Sequence, residues 1–161
     1  MMDPRALSNL VLDIADDIGE SVSNLALNKI LYFIHAYHLA ETGQPLVKAK
    51  IEAWQFGPVF REVYHQFKRF DRSSITGRAT VLNPQSGEYE IATYNVEQSE
   101  YERIRSICLP YIKMRPGKLV ELSHEKGGPW YDAWFHDGEV NPGMEITDQA
   151  IQAHFKKQQR H

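Results

Sequence analysis

Residues 27–67 read LNKILYFIHAYHLAETGQPLVKAKIEAWQFGPVFREVYHQF. Leu27, Ile30, Leu31, Phe33, Ile34, Tyr37 and Leu39 fall on all sides of one helix, and a helix apolar all round is buried in the middle of a fold. Ser23 or Asn24 can cap its start and Gly43 can end it, so the spacing predicts a central helix over 24–42. Pro45 prevents continuation. Ile51 and Ala53 then alternate with Glu52 and Trp54, the pattern of a short extended segment within 44–56. Gly57-Pro58 opens a further helix over 58–69, with Pro58 at its first position and Val59, Val63, Phe67 and Phe70 as its buried stripe. Arg61, Lys68, Arg69 and Arg72 give that helix a basic side. On the central helix, Asn28, Tyr32, His35 and His38 share one side, which should meet a polar pocket or solvent.

Outward from this block the chain stays mainly helical. Pro4 starts a first helix over 4–19, with Leu7, Leu10, Val11, Ile14 and Ile18 on its inner face. Asp13, Asp16, Asp17 and Glu20 read as a solvated acidic face. Residues 75–94 change period and read as a β-hairpin insert with a five-residue loop, Asn83 to Gly87. A lone hairpin is marginal, so it must pack on the helices or pair with the IEAW segment. Helices follow over 96–113, from Pro116 to about Ser123, from Trp130 to Phe135, and from Asp148 (capped by Thr147) to about Lys157, with a frayed tail at about 158–161. The expectation is one domain over residues 1–161: a compact, mainly α, multi-helix unit with a small β-hairpin insert.

Bulk composition removes several classes. The chain has 161 residues, 42% hydrophobic and 11% aromatic, enough apolar side chain for a core without staples. Its net charge of −3 disfavours general nucleic-acid binding. With Cys108 as the single cysteine, no intramolecular disulfide and no thiolate zinc site can form, and a reducing compartment fits. No signal peptide or membrane span is read in the sequence, so the expected location is cytoplasmic.

Catalytic constellations fare poorly. His35 and His38 share a helix face, but convergent third and fourth ligands and the H-E-x-x-H spacing are missing, so no metal site is expected. Ser123 and His124 are sequence neighbours, pointing about 100° apart on a helix. No nucleophile elbow and no phosphate-binding glycine loop is present. Cys108 sits among Ile104, Ile107 and Ile112 and reads as a small buried hydrophobe. No catalytic residue and no cofactor is assigned. A winged-helix DNA-binding regulator, with residues 75–94 as the wing, is an alternative reading.

The order of helix, TG-x-PL, IEAW, x-x-GPV and helix resembles the Panacea domain, the SocA-like antitoxin family found in bacteria and phages. Gly43, Pro45, Leu46, Glu52, Ala53, Trp54, Gly57, Pro58, Val59, Tyr64 and Phe67 carry the likeness. A later element, Leu122-Ser123-His124 to Gly128-Pro129-Trp130, extends it, so that it covers roughly Leu25 to Ala133. The resemblance implies a protein that is not an enzyme and that neutralises a cognate toxin by direct binding. One branch of the family acts instead as an adaptor delivering its partner to a protease. Homodimerisation is compatible with either role. No C-terminal extension suited to a separate neutralising segment is read, so the domain itself would have to bind. Trp, Tyr and Arg dominate interface hot spots. The expected partner-binding surface is therefore Trp54, Phe56 and Arg61 at the rigid turn, with His38 or Tyr64 nearby.

Overall fold

The computed structural model describes residues 1–159 and contains seven α-helices and five short strands. Helix α1 (Pro4–Asp17) begins behind Asp3, whose carboxylate accepts from the Arg5 amide, and Pro4 needs no amide partner in the first turn. Helix α2 (Asn24–Thr42) is capped by the Ser23 hydroxyl and ends at Gly43, whose φ of 74° is the left-handed stop the sequence predicts. Leu27, Ile30, Leu31, Ile34 and Ala36 on α2 are fully buried, so α2 is the central helix. Around it pack α1, α4 (Gln98–Ile112), α5 (Pro116–Ser123) and α7 (Asp148–Gln159).

The IEAW segment is strand β1 (Ile51–Trp54), as its alternation implies. The next segment departs from the helix expected over 58–69. Residues Gly57–Phe60 form strand β2, and helix α3 starts only at Arg61 and ends at Phe67. A proline at a helix start and a proline in an edge strand share the same φ and the same missing amide, so local sequence does not separate them. Here Pro58 stands opposite Ala53 on the edge of a sheet ordered β2-β1-β5, where no ladder hydrogen bond is demanded of it. The third strand, β5 (Met144–Ile146), was not anticipated; it pairs antiparallel with β1, Ile51 facing Ile146. Helix α6 (Pro129–Trp134) lies between, packed on β1 and β5. Helix α7 runs to Gln159, so residues 158 and 159 of the expected frayed tail are helical; residues 160 and 161 lie outside the described residues.

The hairpin expected over 75–94 is present as β3 (Thr80–Leu82) and β4 (Tyr89–Ile91). It docks on α1 and does not join the IEAW sheet. Buried Asn9 donates to the carbonyls of Ala79 and Ala92 at 3.0 and 2.8 Å and accepts from the Ala79 amide at 2.8 Å. Arg78 reaches Asp13 and Asp16, and the Tyr94 hydroxyl donates to Asp13 at 2.6 Å. The acidic face of α1 is therefore partly consumed in holding the insert rather than simply solvated. Among the described residues no helix is long and apolar enough to cross a membrane.

Asn9→Ala leaves the Ala79 amide and the Ala92 carbonyl at the hairpin base without partners, the Ala79 carbonyl keeping the Ala92 amide, and is expected to cost about 1–3 kcal/mol. Arg78→Ala, on a largely solvated ion-pair cluster, is expected to cost under about 1 kcal/mol. Urea unfolding of both variants checks the ranking, and equal losses would contradict it.

Candidate functional site

Besides Asn24 in its first turn, three polar side chains of α2 are buried, and each must find a partner inside the fold. Asn28 accepts from the Phe60 amide at 2.9 Å and donates to Asn24, so it fastens β2 to α2. His35 accepts from the Val47 amide at Nδ1 and donates through Nε2 to Asp148 at 2.9 Å, drawing the pre-β1 segment and α7 together. The third is Lys29, at 0% exposure. It has no ion pair among the described residues, and its amine reaches only the Leu25 carbonyl at 3.5 Å. Burial pushes its pKa down to about 7 from an ordinary 10.5.

A sharp connection presses the sheet onto this amine. Trp54 pairs with Gly57, leaving Gln55 and Phe56 as a two-residue turn. Gly57 has φ +128°, a region closed to other residues, and a Cβ there would stand 2.8 Å from Ser123 Oγ and 2.9 Å from Lys29 Cε. Glycine is thus required twice, for conformation and for space. The same turn lifts Phe56 outward to 58% exposure. Trp54 is half-buried and meets Tyr64 edge-on at 4.8 Å, and the Trp130 indole donates to the Trp54 carbonyl at 2.8 Å. With Leu25, 39% exposed on the first turn of α2, Trp54, Phe56 and Tyr64 line a hollow of about 340 Å³ whose wall includes Lys29.

Behind the turn lies His124. Its ring stacks flat on Trp130 at 3.6 Å, and its buried Nε2 has no partner among the described residues. Burial first, and the charge of Lys29 second, hold its pKa below the ordinary histidine value. Ser123 Oγ donates to the Val120 carbonyl. Cys108 is fully buried and its thiol is pushed up to about 12 by burial, far from thiolate chemistry.

The five side chains expected at a binding face are not all brought together. Trp54, Phe56 and Tyr64 meet around the hollow. Arg61 lies in a neighbouring hollow with Phe60 and Glu62, where its guanidinium holds the buried Glu52 carboxylate at 2.9 Å. His38 is not nearby: it is thirteen residues beyond Leu25 on α2, about 20 Å along the axis. There it contacts Arg103, which also pairs with Glu41, and burial lowers its pKa. Lys29 was missed because a single lysine in an apolar helix reads as an interruption. The available signal was that a helix apolar on all sides has no solvated face to offer it. A larger hollow between Tyr37, Tyr111 and α7 has its polar groups satisfied internally, with His154 and Gln158 both on Glu125.

Residues 27–131 match the family described as "Antitoxin SocA-like, Panacea domain". Over 158 residues, covering 98% of this chain and 84% of the relative, the sequence is 37% identical to Antitoxin SocA of Caulobacter vibrioides (strain NA1000 / CB15N). No solved structure matches.

Between pH 7 and 10.5 the unfolded chain holds a proton on Lys29 that the folded chain has released, so this group's contribution to stability rises with pH across that window and is lost as pH falls to 7. Lys29→Met, similar in length and uncharged, is expected to be more stable by about 1–4 kcal/mol at pH 7. It should also flatten the rise of stability between pH 7 and 10. Unfolding midpoints across that range check both effects; a destabilised variant with an unchanged pH profile would contradict them.

Proposed function

The chain belongs to the SocA-like, Panacea-domain antitoxin family, and on that footing we propose that it binds a cognate toxin and neutralises it by direct protein contact. The observation that carries this reading is the likeness to an antitoxin along 98% of the chain. The surface we assign to binding is the Trp54–Phe56–Tyr64 hollow with Leu25 at its rim. Support comes from its chemistry: exposed aromatic and aliphatic groups cluster there on a rigid turn, the composition of an interface centre. Arg61, 61% exposed at its side chain, would flank this surface as a polar rim. A non-catalytic role accords with the family, and the proposal needs no cofactor.

Co-expression with the adjacent small reading frame of the genome tests the role. Growth rescue with a stable co-purified complex supports masking of the toxin. Rescue with disappearance of the neighbour protein would transfer the chain to the protease-adaptor class. A harmless neighbour that forms no complex would remove the antitoxin reading and favour the DNA-binding alternative. Phe56 contributes little to folding because it is exposed, so Phe56→Ala is expected to leave the unfolding midpoint unchanged. It should weaken the complex about 10–100-fold. Tyr89→Ala on the hairpin, 71% exposed, should leave affinity unchanged. Calorimetry on both variants checks this, and the reverse ranking would move the interface to the hairpin.

A further inference from the structure

Lys29 is chemically out of place as a core residue. An aliphatic side chain of the same length would fill its volume at lower cost, because an ammonium buried without a carboxylate is penalised heavily. The fold supplies no relief. Ser123 Oγ already donates to Val120, and the His124 ring adds a second cation's repulsion whenever it is protonated. From the other elements packed around the hollow come Tyr64, Lys68 and Asp71, the last with no ion pair to Lys29 among the described residues. Lys29 is completely shielded by the fold, yet it is among the residues around a hollow that opens to the surface.

We propose that Lys29 is the receptor for an acidic side chain of the protein partner, a glutamate flanked by apolar residues that lie against Phe56 and Leu25. This deepens the docking-face reading above and rests on it. Charge complementarity selects the carboxylate: it would convert an uncompensated buried amine into a desolvated, hydrogen-bonded ion pair. Geometry selects a side chain over a chain terminus. A glutamate can send its carboxylate to the floor while its backbone stays at the mouth. A C-terminal carboxylate would have to carry its own amide and the backbone behind it past Trp54, Val59 and Phe56 to reach the same floor. Pairing also restores the amine to its protonated form, so binding takes up a proton, and affinity falls about fivefold from pH 7 to 8 and about tenfold per unit beyond.

The test uses the whole chain and three blocked peptides, Ac-Phe-Glu-Leu-NH2, Ac-Phe-Gln-Leu-NH2 and Ac-Phe-Gln-Leu-OH, followed by amide chemical shifts up to millimolar concentration. The expected result is that the glutamate peptide shifts Trp54 and Gly57 and binds at least about tenfold tighter than the glutamine amide. That preference should weaken about fivefold from pH 7 to 8 and vanish in Lys29→Met. The variant's fold is verified by its retained amide spectrum. Equal binding of the two amides, no shift from any peptide, a preference that survives Lys29→Met, or binding of the free acid alone would each overturn the proposal. No toxin is involved, so the two readings fail separately. A glutamate preference without growth rescue sinks the antitoxin role alone. Rescue and complex formation without the preference sink the Lys29 assignment alone.

Discussion

Helix α2 is surrounded by protein on every side from Ala26 to Ala36, and that burial governs the structure. A polar group on such a helix has no water to turn to, so each one dictates where another part of the chain must lie. Asn28 fixes the start of α3 by holding the Phe60 amide, and Asn24 adds the Tyr64 carbonyl. His35 ties the segment before β1 to the first residue of α7. Polar residues that would weaken a solvated helix little here act as the fastenings between layers. Lys29 obeys the same constraint and is left without an answer inside the fold.

The turn at Gln55-Phe56 turns this internal problem into a surface feature. Gly57 lets the strand come within contact of Lys29 and Ser123, sealing the amine from one side. The same backbone path holds Trp54 against Tyr64 and leaves Phe56 exposed. A rigid hairpin tip presents large rings with little conformational freedom left to lose on binding, the circumstance in which apolar contact yields most affinity. The unanswered charge and the exposed rings thus arise from one turn, packed against one helix.

Much of this architecture was legible in the chain because its helices carry their own punctuation. Pro4, Ser23, Gly43, Pro116, Pro129 and Thr147 all mark boundaries close to where they are found. What escaped was the sheet. Gly57-Pro58 supports a helix start and an edge strand equally, and the choice is made by Asn28 and β1, which are distant in sequence or in register. Strand β5 is three residues long, and it exists through its pairing with β1 rather than through propensity. At the site, Trp54, Phe56 and Tyr64 come together because turn residues stay close in space. Arg61 turns to buried Glu52 instead, and His38 is carried away by the length of α2. The acidic residues of α1 looked solvated because Arg78 and Tyr94, which engage them, lie more than sixty positions further on.

The claim that the turn face is where this antitoxin-family domain meets its partner is most directly examined by amide hydrogen exchange, comparing the free chain with the complex. Protection concentrated at Leu25, Trp54 to Gly57 and Tyr64 is the expected pattern. Protection concentrated on β3, β4 or the His38–Arg103 region, with the turn unchanged, would contradict it.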